Sequence, residues 1–180
     1  MEGQGFADAH LHVAESGFSL RYPDIGRAEI LFGCTARPSE WDAMSSCGVR
    51  GTVRFYGVHP WYSDEWDEGT TSRLIRILEG DPCAHVGEIG LDSKRGELSG
   101  QMPAFEGQLD VASDMERMVN IHMVGCEKEV LDAVRAHAMG CRAVVLHSFS
   151  SESYVRPFAE AGCLFSLNPR ILARSDARLV

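Results

Sequence analysis

Short apolar segments that alternate with amphipathic ones are the feature of this sequence that most restricts its fold. The apolar segments have the length of strands and lie at 6–13, 29–36, 51–59, 83–91, 118–124, 142–149 and 163–168. Helical patterns separate them, most clearly at 71–82, 103–118, 128–140 and 152–162. Strands joined through helices run parallel, because a tight hairpin is excluded. We therefore predict an α/β fold with a parallel sheet, in a single domain that covers residues 1–180.

The overall charge argues against a surface built to bind polyanions. The chain has 17 basic and 26 acidic residues and a net charge of −9. A phosphate-bearing substrate would therefore need local positive charge, such as a metal ion. No segment approaches the ~18 apolar residues of a membrane span, and the N-terminus lacks a signal-peptide pattern. We expect a cytoplasmic protein with no membrane partner, whose six scattered cysteines are reduced.

Most of the predicted strands end on a residue that can bind a metal ion. The positions at or near the strand ends are His12, Ala36, His59, Glu88, His122, His147 and Asn168. In a parallel barrel these ends converge on one rim. Buried histidine and glutamate side chains are unfavourable unless they are paired or metal-bound, and they suit zinc or another divalent ion. One metal centre accounts for all of them, whereas hydrogen-bonded core histidines would each need a separate partner.

The first predicted strand shows this pattern most directly. In DAHLH, Asp8, His10 and His12 alternate with apolar residues, so the three polar side chains face the same side of the strand. We expect Asp8 to hydrogen-bond to backbone or to a ligand's second nitrogen rather than to bind an ion directly.

Other aromatic and histidine residues have less specific interpretations. Trp61, Tyr62 and Trp66 follow the third predicted strand, where they could stack on a nucleobase, although aromatic loop residues more often pack a rim. His85 precedes a strand and His137 lies within a helix. Neither histidine is expected to have a catalytic role.

Longer motifs follow one another along the chain. They are DAHLH (8–12), GVHPW (57–61), VGEIGLD (86–92), QMPAFEGQLDVASDMERMVNIH (101–122), VLHSFS (145–150) and GCLFSLNP (162–169). Their order and spacing resemble those of the TatD-like metal-dependent hydrolases, a branch of the amidohydrolase superfamily. The likeness covers residues 6–175 and implies a parallel (β/α)8 barrel of the TIM type.

The resemblance also implies a site for two adjacent divalent ions, which would be zinc, magnesium or manganese. His10 and His12 would hold one ion, and His122 with His147 would hold the other. Glu88 would bridge the two ions.

The same resemblance places His59 and Asp92 near the ions, where they would contact a phosphate or orient a ligand. The candidate catalytic residues are therefore Glu88, His59 and Asp92. Two adjacent cations activate a water and clamp both oxygens of a phosphodiester displacement. The predicted activity is phosphodiester hydrolysis of the deoxyribonuclease type, with DNA or another phosphodiester as substrate. Hydrolysis of a small amide or ester at the same site is the alternative.

The C-terminal end of the sequence departs from the family pattern. We expect about seven strands rather than eight, with residues 173–180 in the helix after the seventh. The family's ETDAP-like motif, whose aspartate ligates metal and acts as general base, has no equivalent in this sequence. A metal-binding but inactive barrel fragment is therefore a third hypothesis. The open sheet edges would favour a homo-oligomer.

Overall fold

A parallel sheet of seven strands forms the centre of the part of the protein that is described, residues 6–14 and 28–168 of a computed structural model. The strands are β1 (Phe6–Leu11), β2 (Ala28–Cys34), β3 (Thr52–Tyr56), β4 (His85–Asp92), β5 (Met118–Val124), β6 (Ala143–Leu146) and β7 (Cys163–Phe165). They lie in sequence order, each parallel to the next, and the sheet curls into a half-barrel. The predicted parallel barrel-type sheet is confirmed. The expectation for residues 173–180 lies outside the described part of the chain.

Helices connect most of these strands. They are α1 (Trp41–Ser45), α2 (Glu68–Gly80), α3 (Leu98–Asp114), α4 (Glu127–His137) and α5 (Val155–Glu160). Asp67 caps α2 by accepting a hydrogen bond from the backbone of Thr70 at 2.7 Å. Leu74 and Leu78 then bury the inner face of this helix. The alternation of strands and helices is thus observed as predicted.

Between the sheet and the helices lies one apolar core. Every residue of β4 is buried, as a central strand covered on both faces requires. The helices add Leu74, Leu78, Phe105, Leu109, Val130, Val134 and Phe158 to the core. No helix in the described residues is long and apolar enough to span a membrane. All six cysteines are free thiols.

The predicted start of α3 at Pro103 is wrong, because the helix begins at Leu98 and contains the proline. Proline lacks an N–H, so the helix loses one hydrogen bond to the preceding turn. The early start places the Gln101 side chain against the loop that follows β4. There its amide accepts a hydrogen bond from the backbone N–H of Asp92 (2.8 Å) and donates to the Asp92 carbonyl (3.0 Å). These tertiary contacts have no periodic signature in the sequence.

Five of the strands, including β1, β3 and β6, end earlier than their apolar patterns suggested. β1 ends at Leu11 and β6 at Leu146, so that His12 and His147 are the first residues of the following loops. His59 lies three residues beyond the end of β3. Loop backbone at the carboxyl end of the sheet therefore carries these imidazoles.

Strands β4 and β5 lie very close together at Gly90. This residue pairs with His122 and has a φ of +139°. A Cβ atom there would lie only 1.9 Å from the backbone oxygen of His122. Glycine is therefore required by both the conformation and the close approach of the two chains.

Candidate metal centre

Glu88 lies at the centre of a cluster of histidine side chains. Its carboxylate is buried in the middle of β4, with 4% of the residue exposed. Around it lie Nε2 of His10 (3.5 Å), Nε2 of His12 (3.3 Å), Nε2 of His59 (3.6 Å), Nδ1 of His122 (3.2 Å) and Nε2 of His147 (2.9 Å). The structure thus brings together all the histidines that the strand ends singled out. They come from β1, β3, β5 and β6 or the loops that follow these strands.

Asp92 extends the cluster towards the rim. Its Oδ2 lies 3.4 Å from Nε2 of His122, so that this imidazole is bracketed by the carboxylates of Glu88 and Asp92. The indole N–H of Trp61 donates a hydrogen bond to the same oxygen at 2.7 Å. The backbone N–H of Lys94 donates to Oδ1 at 2.9 Å. These contacts fix the Asp92 carboxylate beside the histidines.

Burial and mutual contacts determine the charge state of the cluster. Burial, opposed by the attraction of Glu88, lowers the pKa of His10 to about 3 and that of His59 to about 4. Burial alone would raise the pKa of Glu88, but hydrogen bonds from His12 and His122, together with the close approach of the His147 ring, hold it well below its usual range. At neutral pH the centre therefore contains an ionised carboxylate beside neutral imidazoles at His10 and His59. Neutral imidazole is the form that binds metal.

The unpartnered nitrogens of the cluster fit a cation. Nδ1 of His10 and both ring nitrogens of His147 are buried without a hydrogen-bond partner among the described residues. Although Nε2 of His147 is close to Glu88, its geometry is not that of a hydrogen bond. In the described part of the chain, two groups have the spacing of metal ligands: His10, His12 and Glu88, and His59, Glu88 and His122. Glu88 is common to both groups, and nitrogen with carboxylate oxygen is a donor set for zinc and related ions.

The hydrogen bond at Nδ1 of His59 indicates a different role for this ring. Nδ1 accepts a hydrogen bond from the backbone N–H of Trp61 at 3.1 Å. In the neutral ring the proton then resides on Nε2, the nitrogen that faces Glu88. This tautomer makes His59 a hydrogen-bond donor within the cluster, even though its distances would allow metal ligation.

Three buried amide side chains that support the site were not predicted from the sequence: Asn120, Gln101 and Gln108. Asn120, fully buried on β5, donates from Nδ2 to the carbonyl of Ala9 at 2.7 Å and so reaches β1 across the sheet. Asp8 accepts a hydrogen bond from the backbone N–H of His10, as expected. Asn120 precedes His122 by two residues, and a polar residue at that spacing in an apolar strand was the available signal.

Gln101 and Gln108 are the other two, and they lie on the same side of α3. Gln108 is fully buried; it accepts a hydrogen bond from the backbone N–H of Val58 at 2.7 Å and donates to the Val58 carbonyl at 3.0 Å. Gln101 makes the equivalent pair of bonds with Asp92. One helix thus holds the backbone immediately before His59 and at Asp92.

Substituting Gln108 should therefore reduce stability. Gln108→Leu leaves the N–H and carbonyl of Val58 buried and unpaired, and we expect the free energy of unfolding to fall by about 3 kcal/mol. Urea unfolding followed by circular dichroism measures the change. Ser99→Leu, at an exposed position of the same helix, is the control and should remain within about 0.5 kcal/mol of the unaltered chain. Equal stability of the two variants would contradict the role of Gln108.

Comparison with known proteins agrees with this geometry. The family model for TatD-related DNases matches residues 7–180. The chain belongs to the TatD-related DNase family. It is thereby a member of a hydrolase family, as its motifs predicted. Two relatives are named as metal-dependent hydrolases. The two groups of residues around Glu88 are therefore the candidate metal-binding residues of this chain.

Individual relatives are distant. A putative deoxyribonuclease tatdn3 of Danio rerio is 25% identical over 195 residues, covering 93% of this chain and 71% of the relative. An uncharacterized metal-dependent hydrolase TatD of Mycobacterium tuberculosis is 29% identical, covering 79% of this chain and 54% of the relative. A 3'-5' ssDNA/RNA exonuclease TatD of Erwinia billingiae is 30% identical over 96 residues, covering 52% of this chain and 37% of the relative.

Solved structures confirm the fold of this TatD-family chain. The YJJV TatD homolog of Escherichia coli superimposes with a TM-score of 0.77 at 21% identity, covering 89% of this chain and 66% of that structure. A TatD family hydrolase of Entamoeba histolytica gives a TM-score of 0.75 at 16% identity, covering 91% and 65%. The chain thus spans about two thirds of the length of these barrels.

Proposed function

We propose that this chain hydrolyses phosphodiester bonds of nucleic acid with two divalent metal ions. The observation that carries the proposal is the buried Glu88 carboxylate, on which the rings of His10, His12, His122 and His147 converge within 3.5 Å. The names of relatives, a putative deoxyribonuclease and 3'-5' ssDNA/RNA exonucleases, support this choice of substrate. The alternative of small amide or ester hydrolysis has no comparable support.

The residues around Glu88 would divide between the ions. His10 and His12 would hold one ion, His122 and His147 the other, and Glu88 would bridge them. Nitrogen-rich ligands favour zinc over magnesium or manganese. When bound, such ions supply Lewis-acid stabilisation of the phosphate and a water nucleophile that is active near neutral pH.

The remaining side chains would bind and orient the substrate. His59, with its proton on Nε2, would donate a hydrogen bond to a phosphate oxygen, and Asp92 keeps the His122 ring in place. Beside the cluster a cleft of about 310 Å³ is lined by His122, His147, Lys94 and the serines of the loop after β6. Its ammonium and hydroxyl groups suit the phosphates of a nucleotide chain.

This function predicts metal-dependent degradation of single-stranded DNA. We expect the metal-free chain to be inactive and to regain activity on an end-labelled oligonucleotide when Zn²⁺ or Mn²⁺ is added. Titration with Co²⁺, followed by its visible absorption, should give two ions per chain. A panel of small esters and amides serves as the comparison. Failure to cleave any phosphodiester with Zn²⁺, Mn²⁺ or Mg²⁺ would refute the proposal.

A further inference from the structure

Trp61 is a large aromatic side chain that remains exposed beside the histidine cluster. It is 47% exposed, whereas Trp41 is completely buried and His59, two residues before Trp61, is 5% exposed. An exposed indole offers a large, rigid aromatic face with which a ligand can pack. The proposed catalytic roles of Glu88, His59 and Asp92 do not account for this exposed ring.

The orientation of this indole is fixed by its neighbours. Its N–H donates to Asp92 at 2.7 Å, and its ring meets that of His59 edge-on with centroids 4.9 Å apart. The guanidinium of Arg95 lies 4.4 Å from the ring centroid. His59 is in turn 4.4 Å from the ring of His122, centroid to centroid. The exposed indole therefore contacts His59, and His59 contacts His122 in the centre of the cluster.

Two cationic residues lie near the indole although the chain as a whole is acidic: Arg95 packs on its ring, and Lys94 lines the neighbouring cleft. Within residues 92–95, Asp92 and Arg95 contact Trp61. Lys94 in the same segment lines the cleft beside His122 and His147. Cations next to an exposed aromatic ring are the combination by which proteins bind single-stranded nucleic acid without reading its sequence. These two cations supply local positive charge on a chain whose net charge is −9.

We propose that the indole of Trp61 is a stacking platform for the nucleobase of the nucleotide adjacent to the cleaved phosphodiester. The base packs against the indole, while Arg95 and Lys94 attract the flanking phosphates. The inference rests on the proposed nuclease function, to which it adds a subsite for a flanking base. It makes Trp61 a substrate-binding residue with little preference among bases, because every base offers an aromatic face.

Oligonucleotides that lack one base test this subsite. For the unaltered chain, an abasic nucleotide next to the cleaved bond should raise KM by about tenfold, the effect of losing one stacked base, with little change in kcat. In Trp61→Leu the complete and abasic substrates should have the same KM. Trp61→Phe loses the indole N–H bond to Asp92 but keeps an aromatic ring, so it should retain most of the abasic penalty. Trp66→Phe, where the original indole packs against the core, is the matched control and should retain all of it.

A binding measurement separates the subsite from catalysis. Oligo(dT) added to the metal-free chain should quench tryptophan fluorescence, and Trp61→Phe should abolish the quenching whereas Trp66→Phe should preserve it. Equal quenching in both variants, or an abasic penalty that persists in Trp61→Leu, overturns the stacking proposal. If no phosphodiester is cleaved, the nuclease function fails, and the quenching titration still decides whether Trp61 stacks on a base.

Discussion

Glu88→Gln should lower phosphodiester hydrolysis by at least about 10³-fold, which corresponds to about 4 kcal/mol of transition-state stabilisation. The substitution keeps the shape of the side chain but removes the negative charge at the point where the imidazoles converge. A neutral amide cannot bridge two cations with two equivalent oxygens. We therefore expect the stoichiometry of Co²⁺ binding to fall together with kcat.

The control for this variant is Glu79→Gln, which makes the same chemical change at an exposed position of α2. It should leave both the rate and the stoichiometry unchanged. Far-ultraviolet circular dichroism checks that both variants remain folded. Retention of two bound ions and of more than a tenth of the rate in Glu88→Gln would exclude this carboxylate as the bridging ligand.

Gly90→Ala should destabilise the fold by about 4 kcal/mol or more, which is exceptional for a single methyl group. The added Cβ would lie 1.9 Å from the His122 carbonyl, and the φ of +139° is unfavourable for alanine. Relief requires β4 and β5 to separate at the level where Glu88 and His122 face each other. Urea unfolding measures the loss of stability, and loss of metal binding should accompany it.

Gly100→Ala is the matched control for this substitution. It lies in α3, and a Cβ there would meet no atom within 4 Å. Alanine in place of a helical glycine should raise stability by up to about 1 kcal/mol. An unfolding free energy of Gly90→Ala within 1 kcal/mol of the unaltered chain would show that the two strands can separate there without appreciable loss.

The order of strands and helices could be predicted because the hydrophobic pattern of each segment indicates its type without reference to the rest of the chain. The strand predicted at 118–124 begins and ends at the residues where β5 begins and ends in the structure. The helix face that carries Leu74 and Leu78 is buried, as the helical spacing of these residues predicts. Boundaries were less accurate where side chains bind distant backbone. Gln101 pairs with Asp92 at the end of β4, and Gln108 pairs with Val58 in the loop after β3; no local pattern reports such contacts.

The cluster could be predicted because parallel strands direct their carboxyl ends to one rim. His12, His122 and His147 are far apart in sequence, yet their ring nitrogens all lie within 3.3 Å of Glu88. The spacing of these histidines in the sequence could not predict the tautomer of each ring. The tautomer of His59 depends on a backbone N–H that becomes available only when the turn after β3 forms.

The contact between the rings of His10 and His147 has a consequence for the integrity of the sheet. These rings stack at 3.8 Å, although β1 and β6 do not pair in the sheet. Two ions, one bound by His10 and the other by His147 and joined through Glu88, would act as a removable cross-link between the first strand and the far side of the curl, so part of their binding free energy would appear as added resistance to unfolding. Chelation would then loosen the first strand before it affects the helices, and ion supply would regulate the lifetime of the folded chain as well as its chemistry.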